Sequence, residues 1–510
     1  MNHLFIIFIL LTTCLRINIE AALVEKSCLE NIPMHDIDRI VNDALQIFHV
    51  PGAAISIVLN DEILISRGYG FRNLAEQLPV TEHTLFPIGS CTKAFTALIL
   101  GQLVDEGRIT FDDPVQKYIP ELYLGDQERT AKLTIRDLLA HRTGIARHDP
   151  IWFFSDIVSR LSVINMVKNF EPACGLRQEF QYNNFMYTLA AIISERILEQ
   201  SWEEIMASRL LQRLHMENSN ITVHELQKCS DFSLPYAERN GVITKIPFRS
   251  LGAVSPGGGI NSNALEMANW LKLQLNGNDF IIRKRTLDEM HSLQMPFAAV
   301  PSENEPVYCH GYGLGWFLGK YRKYNFISHA GDIDGFSSEV AFLPERGLGI
   351  VILTNSSSDG RYVISSIRNQ IFDKFLDMKD IDWASKLQEI HATAKNALQS
   401  TIEIFETRGY SNSMHSVDSY IGNYLHPAYG KMEIKVEDNY LMASIGKVSM
   451  PLYCTSKDIF TARFMDLLNY GMMPFIDFKF FKDSSNKIYK VEVPFEGFRG
   501  AKPIVFIREL

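Results

Sequence analysis

The chain has 510 residues, of which 46% are hydrophobic and 21% are charged, so it can bury large cores and is not an intrinsically disordered protein. Its formal net charge of −9 at pH 7 and the lack of a long basic run argue against a nucleic acid as the main partner. The length suggests more than one domain.

The first 22 residues have the features of a signal peptide. Residues 4–15 form an apolar stretch, and small residues follow up to Ala21 and Ala22. This stretch is too short to span a bilayer but matches the hydrophobic region of a signal peptide. We therefore predict removal of residues 1–22, secretion to the extracellular space and no transmembrane segment afterwards. Few positive charges precede the stretch, so an uncleaved anchor is the alternative.

Cysteine and asparagine residues add two expectations. Six cysteines follow residue 22 without a C-x-x-C pair, so we expect no metal site, and no motif calls for another cofactor. Secretion would permit disulfides, whose pairing the sequence does not determine. Asn220 and Asn355 each begin an N-x-S/T sequon, so we expect a glycoprotein.

Regular patterns begin with an amphipathic helix over residues 37–48, capped by Asp36. Two β runs follow at about 53–59 and 62–69, joined by a turn-like Asn-Asp pair. A second, strongly apolar helix starts behind Ser90 and stops near Gly107.

The middle of the chain, about residues 108–300, is mostly helical with loops. Three β runs then follow near 323–329, 337–343 and 348–354, and a helix near 360–376 closes the unit. Because strands lie at both ends and helices lie between them, we predict one antiparallel sheet assembled from both ends, with a helical domain inserted in the middle.

The last part of the chain changes character. Residues 382–410 carry one apolar stripe and predict a connecting helix. Alternating patterns near 432–436, 475–481 and 488–493 are typical of strands with one buried face. They predict a separate small all-β domain.

Ser90 and Lys93 are the strongest candidates for catalysis. Three residues apart at the start of an apolar helix, they share one face. There the lysine amine can accept the serine proton, which turns the hydroxyl into a nucleophile. The amine must be neutral to do so, which requires burial to lower its pKa from about 10.4 to about 7–8. The structural alternative is a serine that caps the helix.

Tyr182 and Asn184 lie where a loop meets the helical run of residues 185–198. A tyrosine hydroxyl can carry a proton to a leaving group or activate water, and an amide can hold a carbonyl oxygen. A buried tyrosine and a capping asparagine are the more common roles of such residues alone. The functional interpretation of Tyr182 and Asn184 is supported by their order in the chain, because they follow the motif of Ser90 and Lys93.

The third motif, His329-Ala330-Gly331, ends a predicted strand. A strand-end histidine beside a bulge glycine is the structural alternative. In the functional interpretation, this is an edge strand whose backbone flanks the substrate, and Gly331 allows close approach. The backbone N–H of Asp332 would then join that of Ser90 in an oxyanion hole.

Asp137 and His141 form a rival arrangement, four residues apart on a predicted helix over residues 135–140. With a serine they would suggest a Ser-His-Asp triad, but the sequence has no G-x-S-x-G elbow to supply one. We therefore interpret both residues as structural. The sequence also lacks a zinc-protease motif and a phosphate loop.

Taken with these motifs, three further segments resemble the serine β-lactamase-related family, which includes class C β-lactamases, D-aminopeptidases, D,D-carboxypeptidases and esterases. The segments are residues 133–145, 256–260 and 312–316, and their order and spacing match the family over residues 35–375. The tail from about residue 415 resembles a small β domain found behind some members.

The resemblance implies an α+β fold. We expect a β-lactamase/penicillin-binding-protein-like antiparallel sheet flanked by helices, with an inserted helical domain and a small C-terminal all-β domain. The corresponding division is a signal peptide (1–22), a serine hydrolase domain (30–378), a helical linker (379–412) and the β domain (413–510).

The resemblance also implies roles for the motif residues. The catalytic ones would be the nucleophile Ser90, its base Lys93 and the proton carrier Tyr182. The substrate-binding ones would be Asn184, His329 and Gly331, joined by the backbone of Asp332. True β-lactamases have lysine at the position of His329, and a mostly neutral histidine binds a substrate carboxylate less well, so we do not expect efficient antibiotic hydrolysis.

We predict a secreted serine hydrolase that acts on an amide, peptide or ester through an acyl-enzyme on Ser90. The alternative is a non-catalytic extracellular matrix or binding protein, for instance in a biomineral or cuticle, that keeps the fold. The role of the tail domain is open: if it covers the site, truncation near residue 410 should speed turnover of bulky substrates.

Overall fold

The computed structural model describes residues 34–154, 159–239, 241–298, 306–357, 359–407, 417–438, 440–464, 475–495 and 500–509. The predicted signal peptide, residues 1–22, lies outside the described residues.

The described helices are α1 (Met34–Ile47), α2 (Thr92–Asp105), α3 (Gln127–Lys132), α4 (Ile135–Leu139), α5 (Ile151–Phe154), α6 (Arg160–Val167), α7 (Asn184–Leu198), α8 (Trp202–Met206), α9 (Val223–Leu226), α10 (Ala264–Asn276), α11 (Lys284–Met290), α12 (Gly360–Phe375) and α13 (Trp383–Thr407).

The described strands are β1 (Gly52–Leu59), β2 (Glu62–Asn73), β3 (Leu78–Pro79), β4 (Phe86–Pro87), β5 (Tyr236–Arg239), β6 (Val242–Lys245), β7 (Asn261–Ser262), β8 (Met295–Pro296), β9 (Val307–Tyr312), β10 (Phe317–Tyr321), β11 (Tyr324–Ile333), β12 (Phe336–Leu343), β13 (Leu348–Thr354), β14 (Gly422–His426), β15 (Gly430–Glu437), β16 (Tyr440–Ile445), β17 (Val448–Ser456), β18 (Ile459–Arg463), β19 (Phe475–Lys482), β20 (Ile488–Val493) and β21 (Ile504–Arg508).

One nine-stranded antiparallel sheet organises residues 34–375, which we call the main lobe. Its strand order is β3-β2-β1-β13-β12-β11-β10-β9-β8. The early strand β1 pairs with the late strand β13, from Ala53 opposite Thr354 to Leu59 opposite Leu348. This confirms the prediction that the sheet is assembled from both ends of the region, around an inserted helical part.

Both faces of the sheet are covered, which explains why the residues of β1 are apolar apart from the buried Ser56. Ala53, Ile55 and Ile57 belong to the core that includes α1 and α12, whereas Ala54 and Val58 belong to the core around α2. A strand buried on both faces has no polar side, unlike a strand at a solvated surface.

Helix α2 lies in the middle of the larger core, and its residues from Thr92 to Leu103 are all buried. The ring of Phe95 stacks on that of Trp270, with centroids 3.7 Å apart. A helix that is apolar all round is expected at such a central position.

The C-terminal strands close into an eight-stranded barrel, β14 to β21, which confirms the predicted all-β domain. Closure occurs between β14 and β21, where Tyr424 lies opposite Arg508. Buried barrel side chains such as Tyr429 and Phe495 belong to the same contiguous cluster as the core around α2. The barrel is therefore not separate, because its interior continues into that of the main lobe.

The predicted connecting helix is α13. At its start, Trp383 Nε1 donates to Asp373 Oδ2 of α12 (2.9 Å), and near its end Phe405 stacks on Phe475 of the barrel (4.3 Å between centroids). Of the helices that the structure describes, none combines the length and the apolar composition that crossing a membrane requires.

The structure corrects one of the two predicted glycosylation sites. Asn355 is fully buried, accepts from the Gly52 N–H (2.7 Å) and donates to the Phe71 carbonyl (2.9 Å), so its amide cannot carry a glycan in the folded chain. Asn220 is half-buried, and its glycosylation stays a prediction. The described cysteines Cys91, Cys174, Cys229, Cys309 and Cys454 are free thiols, and Cys91 is buried.

A buried ion pair fixes α12 to the sheet and can be tested. Arg368 lies 2.8 Å from both carboxylate oxygens of Glu339, and both side chains are buried. Glu339→Gln leaves a buried guanidinium without its counter-charge and should lower the free energy of unfolding by about 3 kcal/mol. Glu128→Gln, which breaks the exposed Lys132–Glu128 pair, should cost less than about 0.5 kcal/mol. Equal losses in urea denaturation would contradict this assignment.

Candidate active site

Ser90 and Lys93 lie where a 3₁₀ turn continues into the α-helix α2. Residues Gly89–Cys91 form a 3₁₀ turn that runs directly into α2. Ser90 lies in this turn and Lys93 lies three positions further on, in the first turn of α2, so the two side chains share one face. Lys93 Nζ is hydrogen-bonded to Ser90 Oγ at 2.9 Å and donates to the Gly257 carbonyl at 2.5 Å.

The surroundings of Lys93 favour a neutral amine. The side chain is fully buried, and Nζ lies 4.8 Å from the ring centroid of Tyr182 and 5.5 Å from that of Tyr187. Burial lowers the pKa of Lys93 well below its usual value, and the positive charge of Arg147 acts in the same direction. The amine is therefore suited to accept the Ser90 proton.

Two glycines let the serine turn lie against strand β11. Gly89 has φ of +49°, and a Cβ on it would lie 2.8 Å from the Asp332 nitrogen. A Cβ on Gly331 would lie 1.9 Å from the Ile88 carbonyl oxygen. Gly331 is thus required for packing against the serine turn, and its predicted role in the close approach of substrate stays a prediction.

Strand β11 is interior to the sheet, but half of it has an open side. Its partner β10 reaches only as far as Ser328, opposite Phe317. From His329 to Ile333 the strand pairs with β12, and no strand of the described residues lies on its other side. The predicted edge is therefore present for the second half of the strand only, beside Ser90.

His329 does not face a substrate as a cation. It is buried, its Nδ1 donates to the Ala330 carbonyl (2.6 Å), and its Nε2 accepts from the Tyr312 hydroxyl (2.9 Å). Burial lowers the pKa of His329 to about 3, so the imidazole is neutral. Both ring nitrogens are in use, so this neutral histidine orients Tyr312.

The Asp332 carboxylate is also engaged. Its Oδ1 accepts from the Ser337 hydroxyl and from Arg361 Nε, both at 2.8 Å. The backbone nitrogen of Asp332 lies beside Gly89, next to the nucleophile. Its predicted part in an oxyanion hole with the Ser90 N–H stays a prediction.

Tyr182 and Asn184 reach the site from the loop that starts α7. Asn183 caps this helix by accepting from the Phe185 N–H (2.8 Å), so the capping role falls on Asn183 and not on Asn184. Burial raises the pKa of the Tyr182 hydroxyl, while the Arg147 charge and a hydrogen bond with Ser90 lower it. Tyr182 therefore stays protonated at neutral pH and can act as a proton donor.

Sequence reasoning missed an ion pair beneath these residues. Arg147 lies over the Tyr182 ring, 4.9 Å from its centroid, and its Nε contacts Asp149 Oδ2. The buried Asp149 accepts from Asn184 Nδ2 at 3.0 Å. One ion pair therefore contacts both residues of the second motif. The sequence contained one signal for this ion pair: a basic and an acidic residue, Arg147 and Asp149, lie two positions apart shortly after residues 133–145.

The rival triad is not formed. Asp137 accepts from Arg142 Nε (2.6 Å) and Arg177 Nη2 (2.8 Å), and it caps α4 through Thr134. His141 instead accepts from the Asn183 N–H at Nδ1 (3.1 Å). Its ring lies under Tyr182 with centroids 4.2 Å apart, so this structural histidine supports the site.

A cavity of about 520 Å³ opens beside Tyr182. Aromatic side chains, Phe180 and Phe297, form part of its wall, and Arg147 contributes a charge. Such a mixed lining is typical of small-molecule sites. In the part of the chain that the structure describes, His, Cys, Asp and Glu side chains do not gather in groups of three at metal-binding distance.

Family models match almost the whole chain. The model described as Beta-lactamase matches residues 37–386, and a domain of unknown function, DUF3471, matches residues 409–505. Similar proteins include unguisins hydrolase ungD' of Aspergillus campestris, 25% identical over 463 residues and 86% of each chain. Protein flp of Staphylococcus aureus strain N315 is 27% identical over 375 residues, 68% of this chain and 71% of its own.

Solved structures share the fold of both parts. The octameric penicillin-binding protein homologue from Pyrococcus abyssi has a TM-score of 0.62 at 22% identity, covering 93% of this chain and 100% of its own. SurE has a TM-score of 0.58 at 17% identity, covering 95% and 100%. These matches confirm the predicted architecture.

Buried histidines make the stability of the chain depend on pH. Burial lowers the pKa of His148, His291 and His329 to about 3, below the ordinary value of about 6.5 in an unfolded chain. Between these values the unfolded chain binds protons that the folded chain does not, so the free energy of unfolding falls as pH falls. We expect each of these three histidines to lower the free energy of unfolding by about 2 kcal/mol between pH 7 and pH 5.

His291→Gln tests this outside the site, since His291 contacts Gln274 and Trp316. The variant should reduce the loss between pH 7 and pH 5 by about 2 kcal/mol, measured by urea denaturation at each pH. Replacing the exposed His83 by glutamine supplies the control. The same pH dependence in both variants would contradict the expectation.

Proposed function

The chain belongs to the beta-lactamase family, and on that premise we propose that it is an active serine hydrolase, acylated on Ser90, that cleaves an amide, peptide or ester. One observation carries the proposal. The Lys93 amine is buried, has a pKa well below its usual value and is hydrogen-bonded to Ser90 Oγ at 2.9 Å. An amine buried at this position costs stability and has a use when it accepts a proton.

In the proposed first step, Lys93 Nζ accepts the Ser90 proton while Oγ forms a bond to the acyl carbon. The N–H groups of Ser90 and Asp332 bind the resulting oxyanion. When the tetrahedral species collapses, the bond to the leaving group breaks and Tyr182 donates the proton that the leaving group takes.

Water completes the proposed cycle. It attacks the acyl carbon and gives a proton to the Tyr182–Lys93 pair, the ester bond to Ser90 breaks, and Ser90 Oγ regains a proton. Asn184, whose amide is oriented by Asp149, holds the substrate's carbonyl side. No cofactor takes part in any of these steps.

The substrate class follows from what the site offers. A neutral His329 supplies no cation for the carboxylate of a β-lactam, so efficient antibiotic hydrolysis is not part of the proposal. One relative that matches 86% of each chain is named as a hydrolase, of unguisins. We also propose that the protein is secreted after removal of residues 1–22 and is glycosylated at Asn220.

The nucleophile can be tested by intact-mass spectrometry of the secreted protein treated with a fluorophosphonate or, separately, with penicillin. We expect one fluorophosphonate adduct, absent in Ser90→Ala, because Ser90 has an adjacent buried amine that can accept its proton. Ser208→Ala, at an exposed serine on the helical surface, should keep the adduct. The same spectrum reports whether the chain begins after residue 22.

An unlabelled but folded protein would contradict the proposal and favour the non-catalytic matrix or binding protein. A penicillin adduct that persists for hours would show that lactams fit the site without efficient turnover, whereas rapid penicillin hydrolysis would contradict the expected substrate class.

The role of Lys93 predicts a pH dependence. Neutral amine is the base, so the rate of labelling should be lost as pH falls through the pKa of Lys93 and should reach its plateau well below pH 10.5. Lys93→Arg should reduce the rate at least about 100-fold at every pH, because a guanidinium does not deprotonate. Labelling that still rises through pH 10 would mean that Lys93 has an ordinary pKa.

A further inference from the structure

We propose that the C-terminal barrel is a working part of the active site. In this view it holds residues 146–154, which we call the clamp loop, so that Arg147 and Asp149 position Tyr182 and Asn184. The inference rests on the proposed function and assigns a role to the barrel. Arg147, Asp149 and the barrel residues that hold them are positioning groups.

The clamp loop ends in an aromatic anchor. Phe154 is buried, and its ring contacts three barrel residues, with centroids 5.0 Å from Phe495, 6.3 Å from Tyr429 and 6.5 Å from Phe464. Burying a phenylalanine contributes about 1.5–3 kcal/mol, and aromatic pairs add to this. The barrel therefore binds the end of the loop strongly.

A second contact lies in the middle of the loop. His148 Nδ1 lies 2.9 Å from the Tyr429 hydroxyl, and the His148 ring stacks on Phe170 of the main lobe, with centroids 3.9 Å apart. Burial and the nearby His426 lower the pKa of His148 to about 3, so the imidazole is neutral. Its two flanking residues are Arg147 and Asp149, which contact the site.

The backbone of the loop also touches the barrel. Gly446, in the turn between β16 and β17, has φ of +54°, and a Cβ on it would lie only 1.5 Å from the Phe154 carbonyl oxygen. No side chain fits between these two backbones. The barrel turn is thus in direct contact with the end of the clamp loop.

The loop needs such support because it has little structure of its own. Its helix, α5, comprises only the four residues Ile151–Phe154. A helix this short is not stable without tertiary contacts. The main lobe supplies some of those contacts, such as that of Trp152 with Phe185. The barrel supplies the contacts at Phe154 and His148. The position of Asp149 therefore depends in part on the barrel.

The site is sensitive to this position. Asp149 is buried, and its two oxygens are used by Arg147 and by Asn184, at 3.0 Å from the latter's Nδ2. Hydrogen bonds weaken steeply once such distances lengthen, and a displacement of about 1 Å can cost about 100-fold in rate. A loosened barrel contact should therefore lower turnover while the hydrogen bond between Ser90 and Lys93, which lie on other elements, stays in place.

Two glycines of the barrel give a matched test. Gly446→Ala places a methyl group against the Phe154 backbone, whereas Gly430→Ala, at φ of +78°, places one where nothing lies within 4 Å. In both variants the alanine must adopt a left-handed backbone conformation, which costs about 1–2 kcal/mol of stability. The two variants therefore differ only in the contact with the clamp loop. The full chain is used, with a p-nitrophenyl ester as probe substrate.

The readout is kcat per site titrated by fluorophosphonate, which counts only folded protein with a reactive Ser90. Relative to Gly430→Ala, we expect Gly446→Ala to lower kcat about 10- to 100-fold per titrated site. Tyr429→Phe, which removes only the hydroxyl bonded to His148, should lower it severalfold and serves if Gly446→Ala does not fold.

A double-mutant cycle traces the route. In an Asp149→Asn background the effect of Gly446→Ala should shrink to less than about twofold, because the clamp that it disturbs is already broken. Equal kcat values for the two glycine variants, or full additivity with Asp149→Asn, would overturn the inference while leaving the serine hydrolase in place. A wild-type chain that is folded but not labelled would overturn the proposed function and, with it, this inference.

Discussion

A lysine amine buried beside a serine hydroxyl is the constraint on which the arrangement of the main lobe depends. Burial lowers the pKa of Lys93 well below its usual value, so between the two pKa values the unfolded chain binds a proton that the folded chain lacks. Each unit of this shift costs about 1.4 kcal/mol of stability. The apolar core around α2, in which the residues from Thr92 to Leu103 are all buried, both causes this shift by desolvating the amine and supplies the burial that offsets its cost.

Much of the fold was readable from the sequence because its strands and helices have distinct periods. The predicted ends differ by no more than two residues from those observed for three elements, namely β1 (predicted 53–59), β13 (predicted 348–354) and α12 (predicted 360–376). Barrel closure was not readable, since it depends on a pairing of Tyr424 with Arg508 across the whole domain. The short reach of β10, which opens one side of His329, likewise depends on tertiary structure.

For the site, motif spacing brought the right elements together, but it did not assign contacts. Ser90 and Lys93 are adjacent because they lie three positions apart at the start of a helix, and that spacing is visible in the sequence. The partners of His329 and Asn184, Tyr312 and Asp149, are set by loops whose course leaves no periodic signal. The sequence alone also offered no means to see that Asn355 is an interior hydrogen-bonding residue.

The order in which the sheet strands occur along the chain has a consequence for biosynthesis. Gly52 bonds to Asn355, 303 residues away, so β1, which pairs with β2 on one side, lacks its other neighbour β13 until the whole intervening region has been translated. At ribosomal rates of about 5–20 residues per second, that wait is roughly 15–60 s. During this wait, the hairpin of β1 and β2 presents the unpaired edge of β1. A hairpin with such an exposed strand edge is prone to aggregate. We therefore expect substitutions in β1 and β2 to affect the folding yield in the cell more than they affect the stability of the folded protein.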